Sequence, residues 1–253
     1  MHIERHGIGP RNILCLHGWS GDHHTFDPLA ANLPGDLTLW CPDLPGCGRS
    51  SAPALWTLDA VSAEIADFAS SLGGPLEILG TCSGALFALE VALRIPVTRV
   101  IMVDAFAYWP VWFRVFLAPG WGHYAYYTAF ANPVGRWLTN RSLAKHRTDS
   151  TNLTNGFERV NHATTLRYLR MLAEVKSVDR YLPIRTPIEL LYGEKSFRAI
   201  RDSAAMWQRV FPGAPIHELA GAGHLPIAEA TSRIREILLE EAMCTTASMN
   251  SAR

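Results

Sequence analysis

One segment limits what this chain can fold into more than any other: Ile78-Leu79-Gly80-Thr81-Cys82-Ser83-Gly84-Ala85-Leu86. An apolar run reaches a residue held between two glycines, and a helix-like stretch, Ala85 to Leu93, follows at once. G-x-Nu-x-G is the layout of a sharp strand-to-helix turn that lifts one side chain above a sheet edge. Side chains at Gly80 and Gly84 are expected to collide with neighbouring backbone there. The raised residue is Cys82, a softer and more easily ionised nucleophile than serine. Ser83 is the other nucleophilic side chain of the turn, but it is off the central position. Its main-chain N–H instead opens the helix and points at the reaction centre.

The rest of the chain repeats the strand-helix rhythm. Asn12–Leu16, Leu37–Cys41, Leu76–Leu79, Arg99–Val103, Ile188–Tyr192 and Ile216–Leu219 read as strands. Helical spacing marks Phe26–Leu33, Leu58–Leu72 behind a Thr57 cap, and Ile234–Ala242. Strands alternating with helices predict an α/β chain with a doubly wound, mostly parallel sheet. From about Phe106 to Tyr181 the rhythm stops. That stretch has no strand-like runs and twelve aromatics between Phe106 and Trp137. It is expected to be a helical lid (106–181) inserted into a core made of 1–105 and 182–244. Most of the aromatics are expected to form the lid's own core, and a few to face the cleft. The small polar tail, 245–253, is expected to be disordered.

Composition narrows the function classes. The 253 residues hold 23 basic and 23 acidic side chains, and no basic tract suggests a nucleic-acid partner. No apolar run reaches membrane-spanning length. The opening Met-His-Ile-Glu-Arg-His lacks the layout of a signal peptide. Five cysteines (15, 41, 47, 82 and 244) form no C-x-x-C pair, which predicts reduced thiols and a cytoplasmic location.

Four motifs in order carry a family resemblance: His17-Gly18-Trp19; Asp43-Leu44-Pro45-Gly46-Cys47-Gly48-Arg49-Ser50; the Cys82 turn; and Gly221-Ala222-Gly223-His224-Leu225-Pro226. Over nearly its whole length the chain resembles the α/β-hydrolase superfamily. It is most similar to small lidded esterases such as the pimeloyl-carrier methyl ester esterases. The cysteine departs from them; dienelactone hydrolases and polyhydroxyalkanoate synthases share it but not the other motifs. The resemblance implies Cys82 as nucleophile, His224 as base, and the N–H groups of Trp19 and Ser83 as an oxyanion hole. One such donor is typically worth about 2.7–4 kcal/mol in the transition state. His17 is expected to tie its loop to its neighbours. Asp43 and Arg49 are expected to brace theirs through backbone hydrogen bonds and a salt bridge.

The acid is the open position. Ser196 stands where relatives usually carry Asp after the strand ending at Tyr192. Asp104, following Arg99–Val103, is the first choice and Glu194 the alternative. A Cys–His dyad without an acid is the third option, since a thiol with a pKa near 8.5 needs less help than a hydroxyl. The expected function is an acyl hydrolase acting on an ester or thioester with an apolar acyl part, small or carrier-bound, through a cysteinyl thioester. Two alternatives share the scaffold: an acyltransferase or cyclase, and a non-catalytic binding protein, which Ser196 favours. No metal or cofactor is implied, and a monomer or simple dimer is expected.

Overall fold

The computed structural model describes residues 1–240. Seven strands form one sheet in the order β1-β3-β2-β4-β5-β6-β7. They are β1 (Ile3–His6), β2 (Arg11–Leu16), β3 (Leu37–Pro42), β4 (Leu76–Thr81), β5 (Arg99–Val103), β6 (Ile188–Gly193) and β7 (Ile216–Leu219). All pairings are parallel except β1 with β3. The fold is therefore the doubly wound, mostly parallel α/β sheet that the periodicity predicts.

β1 was not among the expected strands. Ile-Glu-Arg-His has no apolar run, and it lies at the sheet edge where polar side chains are tolerated. The central strands β2, β4, β5 and β6 are mostly apolar because both of their faces are largely buried. Along β2, Leu14 and Leu16 enter one core, whereas Ile13 and Cys15 enter the other. The expected helix Phe26–Leu33 is shorter: a 3₁₀ turn, His23–Phe26, capped by the Asp22 side chain, runs into Asp27–Ala30. The last described helix is Thr231–Leu239. The expected extension to Ala242, the tail 245–253 and Cys244 lie outside the described residues. Among the described residues, Cys15, Cys41, Cys47 and Cys82 are free thiols. None of the described helices is long and apolar enough to cross a membrane.

Between β5 and β6 the described chain is helical and irregular, without a strand. Its principal helices are Val111–Leu117, Pro133–Ser142 and His162–Leu172. The aromatics here divide differently from the expectation that most form a core. Phe106, Phe113, Tyr126 and Phe130 are buried together. Tyr108, Trp112, Trp121, Tyr124, Tyr127 and Trp137 are exposed. Phe113 on Val111–Leu117, and Tyr126 and Phe130 four residues apart on the helical turns that follow, face inward, whereas Pro133–Ser142 has no buried residue.

Candidate active site

Register sets the site. Thr81 pairs with Val103 across β4 and β5, so the next residues, Cys82 and Asp104, leave the sheet side by side. The ladder extends through both: Cys82 N–H donates to the Val103 carbonyl and Asp104 N–H to that of Leu191, each at 2.8 Å. Both residues then turn sharply. Cys82 has φ +52° and Asp104 φ +50°, left-handed conformations that are uncommon outside glycine and recur at functional sites. The glycines around Cys82 are required sterically. A Cβ on Gly80 would lie 2.6 Å from the Gly84 carbonyl oxygen, and one on Gly84 would lie 2.1 Å from that of Leu16.

Asp104 is fully buried and reaches His224. Its Oδ2 is 2.7 Å from His224 Nδ1, so the imidazole donates from Nδ1 and keeps Nε2 for chemistry. The carboxylate also accepts the Gly193 N–H at 2.9 Å on Oδ1 and the Ser196 hydroxyl on Oδ2. Ser196 thus stands beside the acid, 3.3 Å from His224 Nδ1, where it helps orient the carboxylate. Glu194 does not join this group. It is exposed, and its carboxylate accepts the Gly221 N–H at 2.7 Å.

The charge of His224 is set by opposing effects. Burial alone lowers its pKa, but Asp104 and Cys82, each through hydrogen bonding and charge, raise it to about 10. The rings of Phe106 and Phe197 meet the imidazole edge-on and confine it.

Two further partners of the histidine loop were not visible in the sequence. His224 N–H donates to the His146 carbonyl at 2.8 Å. Glu229 Oε2 accepts the Gly223 N–H at 2.6 Å, while its Oε1 accepts the Thr148 N–H at 2.8 Å and the Thr151 hydroxyl. His146 lies 78 positions from His224, and Glu229, six residues from Gly223, joins that loop to Thr148, 81 positions away; no local pattern marks these contacts.

The loop after β2 supplies the other wall. Among the described residues, no acceptor takes the N–H of Trp19 or of Ser83. Trp19 is held by its indole, which donates to the Thr165 carbonyl at 2.8 Å, and by edge-to-face contacts with Phe113, Phe130 and Phe157. His17 is fully buried, and burial lowers its pKa. Its Nε2 accepts the Leu44 N–H at 3.0 Å, tying the two glycine loops together. Asp43 braces its loop by accepting the backbone N–H groups of Arg49 and His23, each at 2.8 Å. The expected Asp43–Arg49 salt bridge is absent among the described residues, because the Arg49 side chain points to solvent.

Cys82 and Ser83 lie on the wall of a cleft of about 500 Å³, lined by Trp19, Phe106, Trp109, Phe113, Leu169 and Val178 among others. The lining is mostly apolar. Among the described residues that line it, none carries a charged side chain.

Comparison with known proteins agrees with this fold. Residues 13–236 match the family model described as the alpha/beta hydrolase family. A pimeloyl-[acyl-carrier protein] methyl ester esterase of Xylella fastidiosa is 28% identical over 266 residues, covering 94% of this chain and 97% of that protein. A lipase of Mycobacterium tuberculosis is 32% identical over 108 residues, 41% of each chain. Among solved structures, a thermophilic esterase from Thermogutta terrifontis superposes with a TM-score of 0.75 at 19% identity, over 94% of this chain and 91% of that one. An epoxide hydrolase from Vigna radiata superposes at 0.73 and 17% identity, over 95% and 93%. At such identities these two structures bear on the fold alone. The family match spans most of the sheet and every loop that builds the site: the chain belongs to the alpha/beta hydrolase family.

Proposed function

We propose that this hydrolase cleaves an ester or thioester with an apolar acyl part, free or carried on a partner protein, through a cysteinyl thioester. The observation that carries the reading is the buried Asp104 on His224 Nδ1, beside a cysteine at the strained tip of the elbow. A binding pocket needs neither an oriented imidazole nor two unengaged N–H groups. The non-catalytic alternative drew its support from Ser196 at the usual acid position; here Asp104 reaches the histidine from the neighbouring strand, with Ser196 as its donor.

In the proposed cycle, Cys82 Sγ forms a bond to the acyl carbon while its proton goes to His224 Nε2. The carbonyl π pair moves onto oxygen, where the N–H groups of Trp19 and Ser83 receive it. A raised His224 pKa favours the imidazolium, the form that protonates the leaving group as the carbon–heteroatom bond breaks. Water then attacks the thioester, giving its proton to His224. Cys82 departs with that proton, and the carboxylic acid is released. The cleft lining suits an alkyl or aryl acyl group, because apolar walls bind by burial rather than by directed bonds.

The pimeloyl-carrier relative gives the carrier-bound substrate its place in this proposal. The test is intact-mass spectrometry after brief mixing with p-nitrophenyl esters and acyl thioesters, with Cys82→Ala as control. An acyl adduct mapping to Cys82, with turnover lost in the variant, is expected. Turnover undiminished in Cys82→Ala would sink the mechanism. Acyl transfer to added amines or thiols exceeding hydrolysis would reassign the enzyme as a transferase.

A further inference from the structure

Outside the cleft, one trio of metal-ligating side chains comes together among the described residues: His2, Glu4 and His23. One donor atom from each lies within 4.8 Å of the other two. His2 Nε2 is 3.9 Å from Glu4 Oε2. The His2 and His23 rings meet edge to face, with centroids 5.1 Å apart. None of the three residues lines the acyl cleft.

Two details single the trio out from ordinary surface polarity. His2 Nε2 is buried and has no hydrogen-bond partner among the described residues. Such a group in a folded protein calls for an explanation, since buried polar atoms are nearly always paired. His23, in turn, is oriented as ligating histidines are. Its Nδ1 lies 2.7 Å from Oδ1 of the fully buried Asp43, so the carboxylate fixes the proton on Nδ1 and leaves the Nε2 lone pair available. Asp43 is itself fixed by two backbone N–H groups, so this outer support is rigid.

The chain brings the trio together by simple means. His2 immediately precedes β1 and Glu4 lies within it, two residues on, so a strand-like period of two places them on one face. His23 opens the 3₁₀ turn after the Trp19 loop.

We propose that His2, Glu4 and His23 bind a divalent transition metal ion of the Zn²⁺ type, with Asp43 orienting His23 from behind. Two imidazoles and one carboxylate suit zinc, whereas calcium and magnesium prefer all-oxygen sites. Ligand bonds of about 2.0–2.2 Å require the donors to close in by roughly an ångström. Glu4 and His2, with side chains 45% and 27% exposed, have room to swing, and His23 is the fixed member. The bound ion clips β1 to the turn beyond β2. That matters because β1 is an edge strand paired along one side only. Binding to the folded chain alone then raises stability by mass action.

The competing site is the cleft itself, since Cys82 and His224 also offer soft donors. The test therefore uses tag-free, chelator-stripped full chain as wild type, His2→Ala, Glu4→Gln and Cys82→Ala. Zinc binding is titrated calorimetrically and melting followed with and without zinc; Co²⁺ spectra report thiolate ligation. The expected result is one zinc per chain in wild type and Cys82→Ala, with a zinc-dependent rise in Tm and no thiolate-to-cobalt band. In His2→Ala and Glu4→Gln the affinity falls by about tenfold or more and the Tm rise disappears, while ester turnover without metal stays at wild-type level. Two outcomes overturn the site: no stoichiometric binding in wild type, or binding that survives in both β1 variants and vanishes in Cys82→Ala.

Discussion

In the proposed cycle the acid is Asp104, which contacts His224 Nδ1 with Ser196 beside it. The carboxylate comes from the end of β5, and the residue at the usual acid position has become its hydroxyl donor. The side chain that takes His224 Nδ1 is thus set by which strand end carries a carboxylate of suitable reach, not by one fixed position in the chain. Replacing Asp104 with Asn keeps the shape and removes the charge. We expect kcat/KM to fall by about 10²–10⁴, the usual contribution of acid–base catalysis; unchanged activity would instead favour the Cys–His dyad. The same pair makes a stability prediction. His224 is raised from an ordinary value near 6.5 to about 10 in the folded chain. A raised histidine contributes stability that is fully present below the unfolded value and lost as pH climbs through the folded one. The Tm advantage of wild type over Asp104→Asn should therefore be largest below about pH 6.5 and shrink steadily toward about pH 10. An advantage that is flat across that window would mean that Asp104 does not hold the imidazolium.

The histidine loop depends on elements distant in sequence. Glu229, at the end of the short helix Pro226–Glu229, bonds the Gly223 N–H with one oxygen and the Thr148 N–H with the other. A glutamine there has one carbonyl oxygen and cannot accept both. Glu229→Gln should reduce kcat by about tenfold, as expected when one buried hydrogen bond worth about 1–3 kcal/mol is lost. KM for a small ester should move little, because Glu229 does not line the cleft. Equal losses in kcat and in substrate affinity would point to general unfolding of the region rather than to positioning of His224. This contact also marks where sequence reading stops. β2 to β6 were legible from their apolar stretches because both faces of the parallel sheet's interior are buried, and the elbow because its glycines are sterically required. Asp104 was legible from its place after a strand. β1 was not, since a four-residue polar edge strand carries no periodic signal. Nor were Glu229 and His146, whose roles consist of tertiary contacts to backbone groups. The inward and outward aromatics of residues 106–137 could not be sorted either, because helices of one or two turns give too few residues to define a face.

Charge in this chain is balanced in sum but not in space. Residues 106–181 carry ten basic and four acidic side chains, and the remainder holds the compensating excess of acid. Arg114 and Arg141 are both exposed, and Arg141 lies over the Trp137 ring at 5.6 Å. The basic excess of residues 106–181 attracts an acidic partner over distances set by ionic screening, which shrink from about 10 Å at 0.1 M salt to about 3 Å at 1 M. Such steering acts on association and leaves the chemical step alone. If the acyl group arrives on an acidic carrier protein, kcat/KM for that substrate should fall severalfold across this salt range through KM, with kcat preserved. The p-nitrophenyl ester of the same acyl group has no extended charge and should show little change. Arg114→Gln with Arg141→Gln should mimic high salt for the carrier substrate alone. Equal salt responses for the two substrates would place the charge asymmetry outside substrate delivery. The cleft walls would then be left to select the acyl group without help from that charge.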